Sequence, residues 1–519
     1  NSSKGLFLCF TNDIIETMNK IHMAKQKLTT IWSHRPYSPY VMGLATEATV
    51  FGFRKVFPKS PISYGVNYYE NGQNTYLYLE KEYFNTANAL AQRATVQPDF
   101  FLKVLQTAFR KAVILNRYSR LFTPIKVKAA SNKTLINWIE RFSNLFREMY
   151  VYGTVSILVG YSQDNILYTT AEKILKKKTK VVAGSFARFY IILTNQPQLN
   201  RNRTFELEII KLAKRAVTAG HKNSILIKKH YRSEIKKLIN EYKWLSYDLC
   251  DQAPWDENYV VNLIIEKIKG NLDDQWERLT AYKQKTRTAF EEATRELKLT
   301  AKEINVFECI RNLGYYKWAR EYEFTEALWR LKIVQDELGR RLNINSVAIK
   351  YLLPSEYSLL LKNINKYKLE LPRRVKKCLM ICDYKKGNSI LTDNQAGLEW
   401  NKIKSVDKTK KKAVLVKGSP AYSGIVRGTV RIINSVRHVS KISVGDVLIA
   451  VTTNPALLPA MKKAAAIVTN EGGITSHAAI VSRELQIPCI VGAKNATKIF
   501  KDGQLVEVDA KHGVIKRVG

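Results

Sequence analysis

Residues 470–492 read Asn-Glu-Gly-Gly-Ile-Thr-Ser-His-Ala-Ala-Ile-Val-Ser-Arg-Glu-Leu-Gln-Ile-Pro-Cys-Ile-Val-Gly, and no other stretch constrains its own local fold so tightly. The glycine pair allows a tight turn with exposed backbone amides. Thr475 or Ser476 supplies an N-cap, which puts His477 in the first turn of a short amphipathic helix. Pro488 and the β-branched residues after it end that helix and open a strand. Unpaired amides and the positive end of the helix dipole favour an anion at this point. An imidazole with an ordinary pKa of about 6.5 is mostly neutral at pH 7. One ring nitrogen then keeps a lone pair, so His477 reads as a nucleophile toward phosphorus.

The pattern extends over about a hundred residues in a fixed order. It begins with Lys417-Gly418-Ser419-Pro420-Ala421-Tyr422-Ser423-Gly424 and Gly428-Thr429-Val430-Arg431-Ile432. Gly445-Asp446-Val447-Leu448-Ile449-Ala450, Thr453-Asn454-Pro455 and Ala464 to Thr469 lead to the histidine, and Asp502-Gly503 through Asp509 to Gly513-Val514 close it. Together these segments resemble the swivelling phosphohistidine domain of the phosphoenolpyruvate-utilising enzymes. That family includes phosphoenolpyruvate synthase, pyruvate phosphate dikinase, rifampicin phosphotransferase and the first enzyme of the sugar phosphotransferase system. The resemblance implies that His477 accepts a phosphoryl group, with Gly472, Gly473, Thr475 and Ser476 supporting the phosphate. Arg483 and Glu484 also fit the family pattern and read as an ion pair on the helix with a part in docking. His22, His34, His221, His230, His438 and His512 lack such a setting and read as surface or structural histidines.

A chain of 519 residues is long enough for two to four domains, and 45% hydrophobic with 25% charged residues is the balance of a soluble globular protein. No apolar run approaches the ~20 residues that span a bilayer, so no membrane partner is expected. The net charge of +39 raises nucleic acid as a partner. The excess is spread, however, with 16 Lys and Arg against 6 Asp and Glu in residues 411–519 alone. A nucleic-acid-binding role is therefore the least favoured reading. The six cysteines are scattered; Cys378 and Cys382 are spaced to share a helix face, but no second Cys or His pair completes a zinc site. Reduced thiols and a cytoplasmic location follow, with no metal ligands assigned.

Residues 1–30 read as helical, and Trp32 to Pro39 breaks that pattern. Ile62–Tyr69 and Thr75–Leu79 flank Asn71-Gly72, the favoured pair for a hairpin turn. Tyr64, Tyr68, Tyr69, Tyr76 and Tyr78 read as cross-strand packing pairs rather than a platform for bases. From about residue 85 to 365 the text is mostly helical, with Leu263–Leu297 and Glu303–Arg341 as long helical segments and a strand or two expected in 155–195. Glu337-Leu338-Gly339-Arg340-Arg341-Leu342 and Tyr351-Leu352-Leu353-Pro354-Ser355-Glu356 resemble the helical linker domain that precedes the phosphohistidine domain in the family. Trp32 to Pro39 resembles, more weakly, the start of the same region.

The expected fold class is a multidomain α plus α/β chain. Residues 1–400 form a mostly α-helical, linker-type region with a β-hairpin and a subdivision near 125–150. Residues 401–412 are a polar, lysine-rich hinge or tether, and 413–519 are a small swivelling β/β/α phosphohistidine domain.

Residues 1–400 carry no segment resembling an ATP-grasp domain, the chain reaches Gly519 where a pyruvate-binding barrel would begin, and no P-loop is present. The expectation is a phosphotransferase component of the kinase or dikinase type. It carries a phosphoryl group on His477 and binds no cofactor itself. Mg²⁺ and ATP or phosphoenolpyruvate belong to an ATP-grasp partner, either a separate subunit or a missing domain, and the acceptor stays open. The alternatives are a complete enzyme with a divergent site within residues 1–330 and a non-catalytic binding or regulatory protein that keeps the fold.

Overall fold

The computed structural model describes residues 28–35, 38–160, 162, 166–179, 185–199, 201–246, 256–405, 415–434, 436–453, 457–472 and 476–518. Strand β1 (Leu28–Arg35) is followed by helix α1 (Pro39–Glu47) and the hairpin β2 (Tyr64–Glu70) and β3 (Gln73–Leu79). Helices then dominate: α2 (Glu80–Val96), α3 (Pro98–Ser119), α4 (Pro124–Ala129), α5 (Asn132–Gly160), α6 (Ile166–Lys178) and α7 (Ser185–Thr194). They continue as α8 (Arg201–Thr218), α9 (Ser224–Tyr242), α10 (Glu257–Ile268), α11 (Leu272–Thr280), α12 (Tyr282–Glu296), α13 (Ala301–Leu342) and α14 (Ile364–Lys376). Strands β4 (Lys377–Asp383) and β5 (Gly387–Thr392) and helix α15 (Asp393–Ser405) complete this helical body.

Four sequence expectations change here. The helix read over residues 1–30 lies outside the described residues up to 27, and Leu28–Arg35 is a strand that pairs antiparallel with β3. No strand forms in the described part of 155–195. Nearly every residue from Val151 to Gly160 is buried within α5, and there packing overrides the weak helix propensity of Val and Ile. Cys378 and Cys382 lie on strand β4, not on a helix, and both are buried. Helix α15 runs to Ser405, so the first residues of the expected tether are helical; residues 406–412 lie outside the described set.

The hairpin turns as its sequence requires, with Asn71 at φ 51° and Gly72 at φ 75°. It is the centre of a larger object, an antiparallel sheet in the order β1-β3-β2-β4-β5. Both faces of that sheet are covered. Tyr64, Val66 and Tyr68 join Leu379, Ile381 and Trp400 on one side, and Tyr69, Tyr76 and Tyr78 join the main helical core on the other. Tyr68 stacks on Trp400 of α15 with centroids 4.3 Å apart and planes 6° from parallel. The tyrosines therefore pack against helices above and below the sheet. Opposite them across the hairpin stand Gly65, Asn67, Asn74 and Thr75, not other tyrosines.

Helix α13, with 42 residues, is the axis of the body and spans about 63 Å at 1.5 Å per residue. Thr300 and Glu303 close its N-terminus with a reciprocal capping box. Asn343 ends it at φ 54°, and Ile344 donates its N–H back to the Gly339 carbonyl at 2.8 Å. The motif residues near this end have structural work. Arg341 donates to the carbonyls of Val127, Lys128 and Ala130 and so caps α4, while Glu337 holds Arg340 and Arg341. Glu356 grips the fully buried Arg374 through both carboxylate oxygens at 2.5 and 2.8 Å.

The C-terminal domain contains strands β6 (Leu415–Lys417), β7 (Ser419–Tyr422), β8 (Ile425–Ile432), β9 (Val447–Ala450), β10 (Ala466–Thr469), β11 (Cys489–Val491), β12 (Leu505–Asp509) and β13 (Val514–Arg517). Helices α16 (Leu458–Lys463), α17 (His477–Leu485) and α18 (Ala496–Ile499) lie between them. The strand order is β6-β13-β12-β8-β9-β10-β11-β7, with β8, β9, β10 and β11 mutually parallel and antiparallel pairs at both flanks. The parallel strands β9, β10 and β11 are buried along their whole length, as strands covered on both faces must be. In crossover-connected parallel sheets, side chains beyond the carboxyl ends of neighbouring strands are brought together, and that is where His477 lies.

Candidate functional site

Strands β9 and β10 are neighbours in parallel register, Ala450 beside Thr469. Each leads into a loop at the same end of the sheet. Asn470 and Glu471 donate their N–H groups to the Ala450 and Val451 carbonyls at 2.9 Å, so the two loops leave the sheet together. The β10 loop then turns through Gly472 at φ 106°, where a Cβ would lie 2.8 Å from that of Ser476. Only glycine meets both conditions. Gly473 and Thr475 lie outside the described residues.

Ser476 is the N-cap of α17, in extended conformation, with its hydroxyl accepting from the Ala479 N–H at 3.4 Å. Of the two caps that the sequence allows, Ser476 is the one described. His477 is the first helical residue, at the end where amides and dipole are positive. Its ring is held from the neighbouring loop, since Thr453 Oγ1 and His477 Nδ1 are 2.9 Å apart. Sequence reading quoted Thr453 only as part of a loop motif and missed this contact. The helix ends at Gln486, φ 58°, and Ile487 donates back to the Ser482 carbonyl at 2.9 Å. Burial pushes the thiol of Cys489, in the strand that follows, up to about 12, which makes it a packed rather than a reactive group.

Arg483 and Glu484 do not pair with each other as expected. They are adjacent on a helix and point apart, because neighbours i and i+1 do not share a face. Arg483 Nε donates to the Ala421 carbonyl of β7 at 3.1 Å, and its guanidinium lies 5.9 Å from the Tyr190 ring of α7. Glu484 is ion-paired with Arg203 of α8. Arg203 also holds Glu206, which Lys267 of α10 holds from the other side. Burial pushes the Glu206 carboxyl up, but Arg203 and Lys267 outweigh it and hold it down at about 2. Burial works against the Arg203 charge as well, and Glu484 and Glu206 overcome it.

His477 is turned toward the helical body and is only 7% exposed. The indole of Trp318, on α13, meets its ring edge-to-face, with centroids 5.6 Å apart and planes at 67°. Neither Trp318 nor Arg203 carries any local sequence signal for this role. Among the described residues, no group of three or more His, Cys, Asp or Glu is placed to hold a metal ion, and no helix is long and apolar enough to cross a membrane.

Comparison with known proteins finds similarity in this part of the chain. The family described as PEP-utilising enzyme, mobile domain, matches residues 442–513. A probable phosphoenolpyruvate synthase of Methanothermobacter thermautotrophicus is 49% identical over 106 residues, which are 20% of this chain and 16% of that protein. The phosphoenolpyruvate synthase of Pyrococcus furiosus is 54% identical over 102 residues, 20% of this chain and 12% of its own length. That of Pseudomonas aeruginosa is 49% identical over 104 residues, with 20% and 13% covered. The matched stretches thus span under a fifth of the length of these relatives. A solution structure of a UPF0107 protein aligns over 20% of this chain and 99% of its own at 14% identity, with a TM-score of 0.17.

Proposed function

We propose, from the membership of residues 442–513 in the mobile-domain family of the PEP-utilising enzymes, that this chain is a phosphotransferase component whose His477 carries a phosphoryl group. The observation that carries the reading is the contact between Thr453 Oγ1 and His477 Nδ1 at a helix N-terminus. When the threonine oxygen accepts from Nδ1–H, the proton is held on Nδ1 and the lone pair lies on Nε2, the nitrogen that attacks phosphorus. The N–P bond forms as the bond from phosphorus to the donor's leaving oxygen breaks, and the reverse step hands the group to an acceptor. Ser476 and Gly472, with the first amides of α17, stabilise negative charge on the transferring oxygens, and the family resemblance adds Gly473 and Thr475 to the phosphate-supporting set. An ATP-grasp partner or domain supplies ATP or phosphoenolpyruvate and Mg²⁺, along with most of the positioning. The donor and acceptor therefore meet the His477 face from outside the C-terminal domain.

The test is transfer of ³²P from labelled ATP or phosphoenolpyruvate to the purified chain in the presence of extract from its source cells. The expected product is label on this chain that survives alkali and is lost in acid, as a phosphoramidate bond is. Label that survives acid, or that persists in His477→Ala, contradicts the proposal.

A further inference from the structure

The charge excess runs through the whole sequence, but its density is uneven. Residues 211–237, in helices α8 and α9 and the turn between them, hold nine Lys and Arg against one Glu. Those 27 residues of 519 carry +8 of the net +39. The inner sides of the two helices are apolar: Ile209 and Leu212 of α8, Ile227 and Ile235 of α9 and Ile264 of α10 share one core. The basic residues are left outside. Acidic neighbours take some of them, Lys214 pairing with Asp273, Arg215 with Glu234 and Arg232 with Glu257. Lys211, Lys222, Lys229 and Lys237 are exposed and make no ion pair among the described residues.

A pair of rings sits among these lysines. The turn closes through Gly220 at φ 75° and through the His221 N–H, which donates to the Ala216 carbonyl at 2.8 Å. The His221 imidazole then lies face to face with that of His230, with centroids 4.0 Å apart and planes 6° from parallel. The buried Tyr231 meets His221 edge-on at 5.8 Å, while His230 is the exposed member of the pair. Desolvation, His221 and Lys229 lower the His230 pKa, so its ring is neutral at pH 7. Lys222 and Lys229 are next in the chain to the two rings. Stacked rings beside cations suit an unpaired strand, whose bases stack while its phosphates meet the lysines. Other polyanions fit less well. A membrane surface needs an apolar face to bury, and Ile225 is the one large apolar side chain exposed along residues 201–242. An acidic peptide gains nothing from the ring pair, whereas every base has a flat face.

We propose that the turn between α8 and α9 is a binding surface for single-stranded nucleic acid, with phosphates on Lys222, Lys229 and Lys237 and a base stacked on His230. Stacking accepts any base, so the surface selects an unpaired strand rather than a sequence. It uses none of the residues placed at His477 and stands whether or not that histidine carries phosphate.

The experiment is fluorescence anisotropy of a labelled oligouridine of about 20 nucleotides, titrated with the full chain over a range of salt concentrations. Removing three charges, in Lys222→Gln with Lys229→Gln and Lys237→Gln, should flatten the slope of log K against log salt by about 2 and weaken binding about a hundredfold at ~0.1 M salt. The control removes three exposed charges elsewhere, in Lys494→Gln with Lys501→Gln and Lys511→Gln, and should change binding little. His230→Ala should weaken binding about tenfold with the slope unchanged, and His230→Phe, which keeps a ring, should restore it. Oligouridine and oligodeoxythymidine in parallel separate RNA from DNA, and each should bind more tightly than a duplex of the same length. A duplex, polyglutamate or phosphatidylserine vesicles that bind as tightly, equal losses in the two triple variants, or no effect of His230→Ala would overturn the proposal.

Discussion

Thr453 and His477 meet 2.9 Å apart at the carboxyl ends of two adjacent parallel strands, and that meeting sets the direction of the imidazole. In the proposed carrier role Thr453 is a positioning residue, holding the proton on Nδ1. Thr453→Val keeps shape but loses the bond, and phosphorylation of His477 should slow about 10- to 100-fold, the worth of one hydrogen bond to a group that gains charge. Thr453→Ser should recover most of the rate. Equal losses in both variants, with unchanged thermal stability, would show that the hydroxyl is not the active feature.

Ser476 gives a stability prediction independent of chemistry. Its hydroxyl caps α17, so Ser476→Ala should cost about 1 kcal/mol in denaturant unfolding. Ser476→Asp preserves a capping oxygen and should unfold near the wild-type midpoint, yet it places a negative charge beside the incoming phosphoryl group and should slow its transfer. A destabilised Asp variant would mean that capping is not what serine contributes there.

Arg320 is the least comfortable residue of the helical body. It is 3% exposed, its Nε and Nη1 have no hydrogen-bond partner among the described residues, and the rings of Tyr150 and Phe324 lie 5.8 Å from its guanidinium. Burial lowers its pKa. Arg320→Met should raise stability by about 1–4 kcal/mol, because a desolvated cation is exchanged for a side chain that packs. Gly153→Ala should do the reverse, since its Cβ would fall 1.9 Å from Arg320 Nη1. Calorimetric melting of the two variants in opposite directions is the expected pattern.

Glu337 makes stability pH-dependent. Its hydrogen bonds to Arg340 and Arg341 lower its pKa from an ordinary 4.5 to about 2 in the folded chain. A carboxylate depressed by folding stabilises the fold fully above its unfolded value and loses that contribution as pH falls through the folded one. Stability should therefore decline from about pH 4.5 toward 2, and Glu337→Gln should flatten that part of the urea-midpoint profile. An unchanged acid slope in the variant would remove Glu337 from the cause.

Much of the C-terminal domain is legible because its signals are local. A glycine at positive φ, a serine cap and a proline stop each act within a few residues, and Gly472, Ser476 and Pro488 each specify their own turn of chain. The hairpin is legible for the same reason at Asn71 and Gly72. Strands β4 and β5 are not, because residues 378–382 are buried on both faces and residues 387–392 are half-buried throughout, so neither shows alternation. Cys378 and Cys382, four apart, fit a helix face as well as a strand face. The packing of the helical body against the C-terminal domain is invisible in sequence for a different reason: Arg203 and Glu484 are separated by 281 positions, and nothing near either residue marks the other. The expected Arg483–Glu484 pair shows the cost of local reading, since adjacent opposite charges invite pairing while the helix turns them to different partners.

Phosphate on His477 is to be sought on protein taken from its source cells under mildly alkaline conditions, where phosphohistidine survives. Intact mass and peptide mapping of the wild-type chain and of His477→Ala should show one phosphoryl mass on the peptide that contains His477 and none in the variant. A wild-type peptide that stays unmodified even after addition of ATP, phosphoenolpyruvate and cell extract would contradict the account and leave a binding protein built on the same domain.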